Sequence, residues 1–151
     1  MAQGQGRSSK QGVKLLYIRD YLYTHTNKDN PKNAKHIVGY LASKGIAAKE
    51  KTIYNDILRL QIDFGVPVEY NPKKWGYYIT KPQFEPYELR LMVDSIQSSK
   101  FITQEKAREI SNKIKKMADI YTKESLNRQA YVAGRVRSLN ESVVKDADRI
   151  H

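Results

Sequence analysis

The stretch AKEKTIYNDILRL, residues 48–60, decides how this chain is read, together with KKWGYYIT at residues 73–80. Ile53, Ile57 and Leu60 recur at i, i+4 and i+7, the spacing of one buried stripe on an α-helix. Advancing about 100° per residue from that stripe sets Lys51, Thr52, Asn55 and Arg59 on the opposite face, with Tyr54 on its flank. Lys49 adds a cation just ahead of them. A hydroxyl, an amide and several cations on one helical face are the groups that bond base edges and phosphates in a DNA major groove. The Lys73-Lys74-Trp75 tip lies between two short alternating runs, the pattern of a β-hairpin.

Outward from this stretch, Leu15, Ile18 and Leu22 predict a first helix over residues 13–26, stopped by the turn formers Thr26-Asn27-Lys28-Asp29-Asn30-Pro31. Asn33 is placed to cap a second helix that turns Ala34, Ile37, Val38 and Leu41 inward and stops at Gly45, just after Lys44. The few residues 46–48 that follow force the second and third helices to cross sharply, as a helix-turn-helix requires. Ala48 is a poor N-cap, and Gly65 closes the third helix. Strands are expected at residues 66–70 and 76–80, with Val68 and Tyr70 on one face and Tyr77 and Ile79 on another. This order predicts a mainly α (α+β) winged helix-turn-helix with a two-stranded wing over residues 13–81.

Residues 82–151 read as a helical linker and dimerisation unit. Pro86 opens a helix carrying Leu89, Met92, Val93 and Ile96, and residues 98–102 break it. Thr103 caps the next helix, with Glu105 in its first turn and a stripe of Ala107, Ile110, Ile114, Met117 and Tyr121. Residues 129–136 are apolar but short and glycine-interrupted, and Val143, Ala147 and Ile150 predict a last helix over 139–150. Residues 1–12, rich in Gln, Gly and Ser with Arg7 and Lys10, read as a flexible basic arm or a non-native remnant.

The chain's 27 basic and 16 acidic residues give a net charge of +11, so the favoured partner is a polyanion. Up to Thr80 there are 13 basic and 6 acidic residues, a net +7, against 14 and 10, a net +4, afterwards. The excess sits where the helix-turn-helix is expected. The absence of cysteine removes disulfides, thiolate chemistry and zinc fingers from consideration. No apolar run approaches the roughly 18 residues of a membrane span, and no secretory signal opens the chain. A soluble protein of the cytoplasm, associated with the nucleoid, is expected.

The pieces GYLASKGIAAKEKTIYNDILRL, KKWGYYIT, FEPYELRLMVDSIQSSKFIT and RVRSLNESVVKDADRIH resemble, in order, the N-terminal region of bacterial WYL-domain transcriptional regulators, a DeoR-like winged-helix group. The resemblance covers residues 13–151. In that family the last piece leads into a ligand-sensing WYL domain, which this sequence does not contain. The resemblance therefore implies the DNA-binding half of such a regulator. Family members commonly carry arginine within a Tyr-Arg-Asp step where this chain has Tyr54-Asn55-Asp56. Asparagine is shorter and uncharged, which favours reading an adenine edge over holding a phosphate.

The expected function is sequence-specific binding of double-stranded DNA by a homodimeric regulator, a repressor, at an inverted-repeat operator. The alternative is an interaction protein that heterodimerises with a full-length relative and disables it. Lys49, Lys51, Thr52, Tyr54, Asn55, Arg59, Lys73, Lys74 and Trp75 are the expected DNA contacts. Trp75 is read either as core at the base of the wing or as a backbone contact. Tyr70, Tyr77 and Tyr78 are read as packing residues of the hairpin rather than base-stacking platforms. Leu58 and Ile62 project toward the polar face and are expected to pack beneath the wing or the second unit, limiting DNA contact to the N-terminal half of the helix. Asp56, on the flank of the buried stripe, is expected to make a structural hydrogen bond. His25, His36 and His151 read as surface residues. No catalytic residue, cofactor, metal or small-molecule site is expected.

Overall fold

Residues 5–128 are described by the computed structural model, and in them the apolar periodicities become helices joined by one small sheet. The first unit contains α1 (Gln5–His25), α2 (Ala34–Ser43), α3 (Glu50–Phe64), β1 (Val68–Asn71) and β2 (Gly76–Ile79). α1 starts earlier than its apolar stripe, so residues 5–12 of the expected arm are helical. Helix propagates easily from a formed nucleus, here the packed segment around Ile18 and Leu22, and the run contains no proline to stop it.

Asn33 caps α2 as its sequence suggests, accepting from His36 N at 3.1 Å. At the other end Gly45, at φ 75°, donates to Ala42 O at 3.0 Å while Ile46 N donates to Leu41 O at 2.9 Å. That double closure is a Schellman motif, and it needs a residue free to adopt positive φ. Buried Ile46 then turns the chain toward α3. The N-cap of α3 is Lys49, whose side chain makes no capping bond; packing, not capping, fixes this end.

The core joins Ile18 and Leu22 of α1, Ile37 and Leu41 of α2, and Ile53, Ile57 and Leu60 of α3, each at 2% exposure or less. Fully burying one such side chain contributes about 1.5–3 kcal/mol, so these helix stripes outweigh the missing cap. Val68 and Ile79 add the apolar side of the hairpin to the same cluster. β1 and β2 pair antiparallel with Val68 opposite Ile79 and Tyr70 opposite Tyr77. Directly opposed residues share a face of the sheet, so the four lie on one face, not two as expected from the alternation. Gln61 Nε2 donates to Val68 O and ties α3 to β1.

Two further links attach β2 to the α1–α2 connection. Lys32 N donates to Tyr77 O at 2.8 Å and Tyr77 N to Lys32 O at 2.7 Å, a single rung added beside β2. Thr26 Oγ1, buried, accepts from Ile79 N at 3.1 Å and donates to Leu22 O at 2.6 Å. Gly76 is required at this crossing: a Cβ there would lie 2.7 Å from Lys32 N and 2.9 Å from the carbonyl carbon of Pro31.

The second unit contains α4 (Pro86–Ser98) and α5 (Gln104–Lys115). Pro86 stands at the first helical position, and Thr103 caps α5 by accepting from Lys106 N at 3.2 Å. Leu89 and Val93 of α4 and Ala107 and Ile114 of α5 are buried, and the two helices pack on each other. α5 is shorter than its expected stripe. It ends at Lys115, Met117 lies in the following turn at 47% exposure, and Tyr121 belongs to another helical segment over 120–128. Ala118 and Asp119 intervene, and aspartate there starts a helix more readily than it continues one. The expectations for residues 129–136 and 139–150, the last family-like piece and His151 lie outside the described residues.

Candidate nucleic-acid interface

The exposed face of α3 is set by a buried ion pair behind it. Lys14 of α1 and Asp56 of α3 meet with Nζ 2.7 Å from Oδ2, their side chains only 5% and 11% exposed. Lys14 Nζ also donates to Thr52 Oγ1 at 3.1 Å. Two side chains one helical turn apart on α3 thus share one ammonium from α1. This fixes the rotation of α3 about its own axis, and with it the direction in which the residues opposite Asp56 point. Asp56 therefore has the structural role expected of it, though through an ion pair.

The same network withdraws Thr52 from the expected contacts in part. Its hydroxyl accepts from Lys14 and donates to Lys49 O at 2.8 Å, although the residue is exposed. Lys49, Lys51 and Asn55 are exposed along the first two turns of α3. Arg59 is exposed too, but its Nε lies 3.7 Å from Asp63 Oδ2 one turn later. Both partners of that pair are more than half exposed, so it holds the guanidinium only weakly. Tyr54, at 48% exposure, leans to the hairpin, with its ring centroid 6.2 Å from that of Tyr77.

Tyr77 in turn meets Tyr70 edge-on at 5.0 Å. Burial, followed by the neighbouring phenols of Tyr54 and Tyr70, pushes the Tyr77 hydroxyl above its ordinary pKa. These rings pack on one another, as expected for a hairpin's aromatics. Leu58 and Ile62 do not pack as expected: they are 50% and 71% exposed. The core stripe of α3 is already complete with Ile53, Ile57 and Leu60, which leaves both residues on the outward side of the helix.

At the hairpin tip, Asn71 Oδ1 accepts from Lys73 N at 2.9 Å and Lys74 N at 3.1 Å, an Asx-type turn. The two lysines then part. Lys74 Nζ donates to Asp29 O at 3.1 Å and braces the tip against the α1–α2 loop, while Lys73 is exposed. Trp75 is 73% exposed at φ 54°, which excludes the core alternative. A non-glycine residue in the left-handed region costs free energy, and here it returns the chain into β2 at Gly76.

Elsewhere in the unit, His25 is more than a surface residue, stacking on Tyr21 at 4.6 Å, with Tyr40 beside both. Burial and then the Asp20 carboxylate raise the Tyr40 pKa; its hydroxyl lies 3.2 Å from Asp20 Oδ2. His36 is exposed beside Asn33. Among the described residues no cluster of His, Cys, Asp or Glu has the makeup of a metal site, and no helix is long and apolar enough to cross a membrane.

Sequence reasoning missed the burial of Lys14 and the exposure of Leu58 and Ile62. Lys14 precedes Ile18 by four residues and so falls on the apolar stripe of α1, the one signal that it is buried. Compared with models of known protein families, with curated proteins and with solved structures, the chain matches none.

Proposed function

We propose that this chain is the DNA-binding part of a transcriptional regulator, a winged helix-turn-helix that reads duplex DNA with α3 and steadies itself with the hairpin. The observation that carries the reading is the face of α3. Its core stripe and Lys14–Asp56 pair lie on one side, Lys51, Asn55 and Arg59 are exposed on the other, and Lys49 is exposed at the N-cap. The order α1, a strand-like rung at Lys32, α2, α3, β1 and β2 supports the winged-helix reading. So does the Schellman closure at Gly45 between α2 and α3. The net +7 up to Thr80 supplies attraction to phosphates.

In this reading Asn55 hydrogen-bonds an adenine edge, and Lys49, Lys51 and Arg59 flank it on phosphates or guanine. Lys73 and Trp75 contact the sugar–phosphate backbone next to the groove. The resemblance to WYL-domain regulators supports the same assignment. A single such module reads few base pairs, so two copies joined through the helices after Pro82 would read an inverted repeat. Exposed Tyr87, Leu91 and Phe101 in that unit are the apolar groups offered for this pairing. Occupying a promoter in the nucleoid, the dimer would act as a repressor.

The test is enrichment of binding sites from a random-sequence duplex pool with the full chain, followed by affinity measurements at several salt concentrations. A recurring inverted repeat is expected. With about six to ten phosphates neutralised, the log–log salt slope falls near roughly −5 to −9. Asn55→Ala relaxes preference at one position for about 1–3 kcal/mol, whereas Lys73→Ala weakens all sequences alike. A slope shallower than about −2, with no enriched sequence, refutes the assignment.

A further inference from the structure

The outward face of α3 carries more carbon than this reading uses. Tyr54, Leu58 and Ile62 follow one another at i, i+4 and i+8 and form a ridge exposed at 48%, 50% and 71%. The ridge is flanked by Lys51, Asn55 and Arg59 on the same helix. Large apolar side chains grouped in water beside cations mark a contact face whose partner is itself part apolar and part anionic.

We propose that this ridge reads thymine methyl groups in the major groove, so that the preferred sites carry thymine next to the adenine read by Asn55. The proposal rests on the duplex-binding reading above. The 5-methyl of thymine is the apolar group that base edges present in the major groove. The other candidate occupant, an apolar protein surface, would strip water from Lys51 and from the loosely paired Arg59 and Asp63 without bringing opposite charge to Lys51. A duplex supplies phosphates for those cations and methyls for the ridge at once.

The spacing limits where the thymines fall. Asn55 and Leu58 are three residues apart, with Cβ atoms about 5–6 Å from each other. The rise of the duplex is about 3.4 Å per base pair. Leu58 therefore meets a base one or two steps from the adenine held by Asn55. Ile62, about 6 Å farther along the helix axis, meets a second methyl about two steps beyond. Tyr54, leaning on Tyr77, closes the hairpin side of the ridge against water.

The experiment uses the full chain and duplexes enriched from the random pool. Each thymine is replaced in turn by deoxyuridine, which deletes one methyl and leaves every hydrogen-bonding group in place. One or two positions, the nearer within about two steps and the farther within about four steps of the adenine lost to Asn55→Ala, are expected to weaken by about fourfold each, the worth of one buried methyl group. Leu58→Ala should bind thymine and deoxyuridine duplexes alike at one of these positions, while Asn55→Ala keeps the discrimination. Leu58 is half exposed, so the variant keeps its urea unfolding midpoint.

If enriched duplexes bind tightly and no deoxyuridine substitution matters, the ridge proposal is overturned and the duplex reading stands. A drop in sedimenting mass in Leu58→Ala, with deoxyuridine neutral, overturns it in favour of a contact between two copies. Failure to enrich any sequence, with random duplexes unbound, overturns the duplex reading itself.

Discussion

Replacing Asp56 with alanine is expected to cost about 3–5 kcal/mol of folding free energy. Lys14 Nζ and Asp56 Oδ2 stand 2.7 Å apart in side chains that are 5% and 11% exposed. Removing the carboxylate leaves an ammonium that water scarcely reaches, with Thr52 Oγ1 at 3.1 Å as a neutral partner. The pair Arg59–Asp63 supplies the contrast: at 60% and 53% exposure, breaking it costs at most about 1 kcal/mol. Against a total stability of about 5–15 kcal/mol, losing Asp56 removes roughly a fifth or more. With a urea m-value of about 1.5 kcal/mol/M, the unfolding midpoint falls by roughly 2–3 M. The double variant Lys14→Met with Asp56→Leu removes both charges and keeps the volume filled. It is expected to recover most of the loss, because an apolar pair carries no desolvation penalty. Far-ultraviolet circular dichroism in a urea series on the wild type, both single variants and the double variant completes the cycle. A single-variant cost below about 1 kcal/mol, or a double variant no better than the sum of the singles, would refute the claim that a buried pair locks α1 to α3.

Gly76→Ala should cost about 1–3 kcal/mol, because its Cβ meets backbone of Lys32 and Pro31 at 2.7–2.9 Å. Hydrogen exchange should quicken at Lys32 and Tyr77 and stay slow at Ile37; unchanged protection at Lys32 would contradict the crossing. Trp75→Gly should hold or raise stability by up to about 1 kcal/mol, since it relieves a left-handed backbone at a largely exposed side chain, and a clear loss of stability would mean the indole is part of the fold. The raised Tyr77 pKa makes the folded chain keep a proton that the unfolded chain releases near pH about 10. Its stabilisation is therefore full below that pH and lost as pH rises through the folded-state value. Urea midpoints should fall in this alkaline range, and fall less in Tyr77→Phe; an equal fall in both would remove Tyr77 as the cause.

Helices were legible where one physical signal dominated. The i, i+4, i+7 stripe of α3, the asparagine and glycine that bound α2, and Pro86 and Thr103 in the second unit each act through neighbours in sequence. What local pattern missed depends on partners far along the chain. Lys14 looks like a solvated cation until Asp56, on another helix, gives it a reason to be buried. Lys74 looks as free as Lys73 until the fold brings the Asp29 carbonyl beneath it. The hairpin's face pairing was misread because alternation within a strand says nothing of register between strands; that is set by the turn from Asn71 to Gly76. The polar half of the α3 face could be read from helical geometry alone. Its apolar half could not, because exposure of Leu58 and Ile62 depends on what fails to cover them.

The exposed indole at the hairpin tip has an optical consequence. Trp75 is the chain's one tryptophan, beside 11 tyrosines, and it is already 73% exposed in the folded state. Unfolding therefore changes its surroundings little, and its emission is nearly blind to the loss of the core. Anything that seats on the hairpin covers it. Tyr21, at 6% exposure, has the opposite character and senses the interior. The chain thus carries an intrinsic chromophore for docking at its tip, without any label being attached.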